Sequence, residues 1–93
     1  MAKSKTIREQ IEELDFEIYL NGEYGKYQYS HLSEEEYFTR FADDYISDVS
    51  RIILLFEKLK KAEKLTSAEK LCLHNWKRWK RKLQLLQTGY NYA

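Results

Sequence analysis

Apolar residues recur along this chain at intervals of three and four, the period of a helix that buries one face. Ile7, Ile11, Leu14 and Ile18 form the first such stripe and predict a helix over about residues 6–20. Its end is set by Asn21-Gly22, the dipeptide most typical of a two-residue hairpin, with Tyr27 and Tyr29 alternating beyond it. The segment over about residues 21–32 is thus a tyrosine-bearing connection, either an irregular loop or a hairpin. The loop is favoured, because an isolated hairpin is marginal without further strands.

From Ser33 no Gly or Pro interrupts the chain before Gly89, and Phe38, Phe41, Tyr45, Val49, Ile52, Phe56 and Leu59 keep helical spacing. One long helix over about residues 33–63 follows, with Ser47, Asp48 and Ser50 as the expected place of any bend, since short polar side chains compete for backbone hydrogen bonds. Lys64 and Leu65 leave room for only a tight connection, which makes the next helix antiparallel. That helix, over about residues 66–88, carries a heptad-like seam of Cys72, Trp76, Trp79, Leu83, Leu86 and Tyr90, and Gly89 is its stop signal.

Three start signals share one form: Thr6 with Glu9, Ser33 with Glu36, and Thr66 with Glu69. In each, a hydroxyl caps the first turn and a Glu three residues on reaches back. The fold class these elements predict is all-α: a small three-helix bundle with a long central helix and an antiparallel C-terminal helix hairpin, helix 1 closing one side.

The length of 93 residues holds one small domain, and 43% hydrophobic with 33% charged residues is too apolar for a disordered tail. No apolar run suggests a membrane partner. Cys72 is the sole cysteine and no secretory pattern opens the chain, so a reducing, cytoplasmic setting is expected.

A net charge of +1 conceals a division. Residues 1–46 carry five basic against eleven acidic side chains, a balance of −6, while residues 47–93 carry eleven against four, a balance of +7. Acidic helix 1 is expected to face the basic face of helix 3, within one fold or between copies of a homo-oligomer.

Catalytic chemistry has little material. His31 and His74 are the only histidines, so a four-ligand zinc site is excluded among His and Cys by count. Asp43 and Asp44 are adjacent and point about 100° apart on a helix, the wrong geometry for sharing a proton. Cys72, on an apolar seam, reads as a small core residue. No enzyme activity and no cofactor are expected.

Binding surface is better supplied. Tyr19, Tyr24, Tyr27 and Tyr29 cluster around Gly22 and Gly25, and tyrosine offers wide contact at low rotamer cost. The consecutive Ile52, Ile53, Leu54, Leu55 and Phe56 cannot share one helical face, and Leu71, Leu73 and Leu85 lie off the helix 3 seam. Either helix 1 covers this surplus or another chain does, a dimer being the simplest case. Tyr24, Tyr27, Tyr29 and Leu54 are the expected protein-binding residues.

Lys77, Arg78, Lys80, Arg81 and Lys82 are interleaved with Trp76 and Trp79 and suggest nucleic acid as the alternative partner. Both indoles share the seam with Leu83, so the core competes for them and the cationic stretch becomes a solvated back. A weaker third reading traps an anionic nucleotide between residues such as Tyr27 and Lys26. The expected function is a small non-catalytic modulator that binds another protein, of the kind phages and other mobile elements carry as inhibitors of host systems.

Overall fold

All three capping boxes form, and each fixes the start of a helix. The hydroxyls of Thr6, Ser33 and Thr66 each accept from the backbone N–H three residues on at 3.1 Å. The Glu9, Glu36 and Glu69 carboxylates accept in return from the capping residues' own N–H groups at 3.0, 3.4 and 2.9 Å. The computed structural model describes residues 5–92, with side chains described as far as Thr88. It contains α1 (Ile7–Gln28), α2 (Glu34–Arg40), α3 (Ala42–Ala62) and α4 (Ser67–Tyr92), with no strand among the described residues. The fold is an all-α bundle.

Helix α1 does not stop near residue 20 but runs through the whole tyrosine segment to Gln28, so neither the loop nor the hairpin is present. A two-residue hairpin turn at Asn21-Gly22 needs positive φ, and no described glycine adopts it. Gly22 and Gly25 instead face inward, toward the Tyr45 and Tyr37 hydroxyls. Burial of those rings against a helix surface stripped of side chains outweighs the cost of about 1 kcal/mol that each helical glycine carries. The connection to α2 shrinks to residues 29–33, opening where the Tyr29 N–H donates to the Gly25 carbonyl at 2.9 Å.

The long central helix is divided at Phe41, not at Ser47, Asp48 or Ser50, which lie inside an unbroken α3. Phe41 takes φ −108° and ψ 20°, and its ring packs 4.9 Å from Tyr29 and 5.2 Å from Tyr37. Hydrogen bonds from Phe41 N to Tyr37 O and from Tyr45 N to Phe41 O, at 3.1 and 3.2 Å, carry the chain through the bend. Ring packing, not a local polar side chain, sets the break. At the other end α4 passes Gly89 and continues to Tyr92.

Cross-helix contacts give the topology. Arg8 meets Glu63 and Gly22 meets Tyr45, so α1 and α3 are antiparallel. Glu57 pairs with Lys77 and Asp43 accepts from Gln87, so α3 and α4 are antiparallel too. The α3 helix lies between α1 and α4, which run the same way on its two sides, while α2 packs on α4 through Phe38 and Trp79. Within one chain, the expectation that acidic α1 faces the basic side of α4 is overturned, because α3 separates them. Their charged contact is at their starts, where α1 supplies the cation, Arg8, and α4 the anion, Glu69.

The core has two parts. Leu14, Ile18, Ile52, Phe56, Leu59, Leu65 and Leu73 form an aliphatic cluster toward the α3–α4 connection. Tyr37, Tyr45, Val49 and Leu83 form an aromatic one toward the α1–α2 connection. Trp76 and Ile53 touch both. The α4 seam is displaced from the expected one: Leu73 is buried and Cys72 is exposed, because at this end α4 must cover Leu65 as well as α3. Trp76 and Trp79 are half-buried, and the Trp79 ring stands edge-on to Phe38 at 4.9 Å. Tyr90, expected on the same seam, lies outside the described side chains.

Candidate functional site

Helix α1 carries two apolar faces. Ile7, Ile11, Leu14, Ile18 and the two glycines turn toward α3; about 180° around the helix stand Phe16, Leu20 and Tyr27, with Tyr19 and Tyr24 on the two flanks of that outer face. These five are exposed, from 38% for Leu20 to 83% for Tyr27. Glu9, Glu12 and Glu23 are interleaved with them and Asp15 and Glu17 flank them, so the outer face is at once aromatic and acidic. An amphipathic helix of a solitary bundle shows polar residues there.

Of the expected protein-binding residues, Tyr24 and Tyr27 belong to this face. Tyr29 does not: it is half-buried at the end of α1, stacked near Phe41 and Tyr37, with the Arg40 guanidinium 5.9 Å above its ring. Leu54 is 59% exposed, on the side of α3 away from Ile52, so α1 does not cover it. Phe16 and Leu20 extend the stripe by two turns. The successive spacing of four from Phe16 to Leu20 to Tyr24 is the sequence signal that identifies them.

The five cations of α4 do not form one face. Arg78, Arg81 and Lys82 point outward beside exposed Leu71 and Leu85, opposite the buried Leu73 and Leu83. Lys80 is half-buried on the inner side. Lys77 turns toward α3 and donates to Glu57 at 3.0 Å, and that hydrogen bond holds the Glu57 carboxyl below its usual range. The outer face of α4 is therefore basic and leucine-bearing, the chemical complement of the outer face of α1.

Lys77 belongs to a different constellation, one that the sequence reading missed. Lys60 in the last turn of α3, Lys64 in the connection, and Lys70 and Lys77 on α4 surround an open cleft of ≈ 410 Å³. His74 joins them, and Leu65 and Leu73 supply the apolar floor. The spacing of Lys70, His74 and Lys77 on one side of a helix is a legible part of this pattern. Its other half comes from α3 and needs the fold.

Carboxylates near this end are engaged. Arg8 binds Glu63 and forms two bonds to Glu69, at 2.6 and 3.0 Å. The Arg8 hydrogen bond, reinforced by the Thr66 N–H, pulls the Glu69 carboxyl down to about 2. Among the described residues, Lys60, Lys64 and Lys70 have no ion pair.

A second cavity of ≈ 340 Å³ lies at the α1–α2 connection, where Lys26 is offset by Glu34 and Tyr29 and Tyr37 form a wall. Tyr27, expected to trap an anion with Lys26, does not line it. No group of three or more His, Cys, Asp or Glu among the described residues is placed to hold a metal, and no described helix is long and apolar enough to cross a membrane. Comparison with protein-family models, with curated proteins and with solved structures gives no match.

Proposed function

We propose that this is a non-catalytic docking protein that captures another protein through the outer face of α1, in keeping with a modulator or inhibitor role. The observation that carries the reading is the row Phe16, Leu20, Tyr24 and Tyr27, exposed on the side of α1 opposite the core. Leaving such a row in water forgoes about 1.5–3 kcal/mol per large apolar side chain, a cost that a covering partner removes. Aromatic rings ringed by carboxylates select a partner with apolar and cationic residues together.

A second copy of this chain offers that surface: Leu71, Arg78, Lys82 and Leu85 on the outer face of α4. Docking α1 of one copy on α4 of the next is a head-to-tail arrangement, which builds rings or chains instead of an isologous dimer. Sedimentation of the wild type and of F16S/Y27S tests it. The wild type should show concentration-dependent association that weakens with salt, and the variant should stay monomeric with unchanged helical circular dichroism. Equal behaviour of the two would remove α1 as the docking face.

Nucleic acid remains the second reading, favoured by Arg78, Arg81 and Lys82 standing exposed together without an ion pair among the described residues. It predicts duplex affinity that falls steeply with salt. Absence of duplex binding at low salt would end it.

A further inference from the structure

We propose that the cleft between the end of α3 and the start of α4 is a binding site for a small organic phosphate of about mononucleotide size. Four lysines, Lys60, Lys64, Lys70 and Lys77, line it together with His74, the Lys77 ammonium being paired with Glu57. Its volume of ≈ 410 Å³ falls within the range of small-molecule sites, about 300–1,000 Å³. The floor is apolar, since Leu65 and Leu73 are core residues whose edges reach the cleft. Cations around a leucine floor suit a ligand with an anionic end and a flat, weakly polar body, and suit free inorganic phosphate less well.

The electrostatics of the cleft support this. Lys70 lies on the same side of α4 as His74 and Lys77 and has no ion pair among the described residues. Lys70 also sits in the first turn of α4, where the helix dipole disfavours a cation. The nearby carboxylates relieve the crowding only in part: Glu63 and Glu69 are held by Arg8, while Glu57 pairs with Lys77 and also feels the charge of Lys60. A phosphate group would supply the missing counter-charge, accepting hydrogen bonds from Lys60, Lys64 and Lys70. The site is independent of the outer face of α1, so neither proposal depends on the other.

Titration with a fluorescent N-methylanthraniloyl ATP, read as anisotropy at low ionic strength, tests the site. Three proteins are compared: wild type, K60Q/K70Q, and K58Q/K61Q, which removes two exposed lysines of the same α3 end that do not line the cleft. The expected result is saturable binding with one site per chain, weakened at least about tenfold in K60Q/K70Q. K58Q/K61Q should bind within about twofold of wild type, and unlabelled ATP, but not adenosine, should compete. Absence of saturable binding, or equal weakening in the two variants, would overturn the proposal by showing only a diffuse positive field. Stronger competition by a duplex oligonucleotide than by ATP, equally affected by both variants, would overturn it as well.

Discussion

The Tyr37 hydroxyl lies 1.7 Å from where a Cβ on Gly25 would stand, so the ring occupies space that only glycine leaves open. Tyr37 also shares a 2.7 Å hydrogen bond with the Tyr45 hydroxyl, and Tyr45 in turn passes 3.6 Å from the Cβ position of Gly22. Two glycines one turn apart on α1 thus receive a buried tyrosine pair from α2 and α3.

Substitution of the two glycines by alanine should have opposite signs. At Gly25 the added methyl also meets the Tyr37 ring at 2.6 and 3.0 Å, and the ring must move, at a cost of about 1–3 kcal/mol. At Gly22 the nearest atom is at ordinary contact distance, so alanine should stabilise by about 0.5–1 kcal/mol through helix propensity. Thermal melts of G22A and G25A decide this. A melting point raised by both would mean that Tyr37 does not occupy the notch.

The tyrosine pair should behave as one unit. Y37F alone leaves the Tyr45 hydroxyl buried without its partner, at about 1–3 kcal/mol, and Y45F alone does the same to Tyr37. The double variant should cost less than the sum of the two. Denaturant unfolding of the four proteins measures the coupling, and strict additivity would exclude the hydrogen bond.

The Arg8–Glu69 contact sets an acid limit. The folded carboxyl, at about 2, lies below its ordinary 4.5, so the stability it confers is complete above about pH 4.5 and is lost as pH falls toward 2. Removing Arg8 deletes the largest cause of the shift. R8A should therefore lose less stability than wild type across that window, and the Glu69 titration followed by NMR should move upward. An unchanged Glu69 midpoint in R8A would show that the Thr66 N–H alone sets it.

Neighbouring leucines on α4 should separate fold from surface. Leu83 is fully buried, and L83A should cost about 2–5 kcal/mol. Leu85 is 67% exposed, and L85A should change stability by no more than about 0.5 kcal/mol while weakening self-association. Chemical denaturation and sedimentation of the two variants give both numbers. A destabilisation of L85A comparable to L83A would place Leu85 in the core.

Much of this fold is written in local signals. Thr6-Glu9, Ser33-Glu36 and Thr66-Glu69 each specify a helix start through atoms three residues apart, and each is found formed. What the local pattern misplaces depends on distant partners. Asn21-Gly22 carries a hairpin signal, but the glycines serve Tyr37 and Tyr45, which are remote in sequence. The bend at Phe41 comes with the rings of Tyr29 in the connection and Tyr37 on α2, whereas Ser47 and Asp48 carry the local signal and stay helical. The α4 wheel favours Cys72 and sets Leu73 about 100° off the seam, yet Leu73 packs in the core cluster with Leu65 of the connection, a partner that the helix's own periodicity does not reveal.

The candidate sites divide in the same way. The exposure of Tyr27 follows from its placement opposite Ile18, and that of Tyr24 from the flank beside it, once α1 is one continuous helix. Arg78 and Lys80, two residues apart, fall on different flanks of any helix and are legible as such; that Lys80 is the half-buried one requires the fold. The lysine cleft joins residues of two helices and their connection, so half of it has no signature within either helix.

Mixing two variants, each blocked on one face, in the analytical ultracentrifuge tests head-to-tail docking most directly. F16S/Y27S keeps only the basic α4 face and R78E/K82E keeps only the acidic α1 face. Each alone should be monomeric, and together they should form a one-to-one complex and nothing larger. Self-association of either variant alone, or failure of the mixture to combine where the wild type associates, would contradict the pairing of α1 with α4.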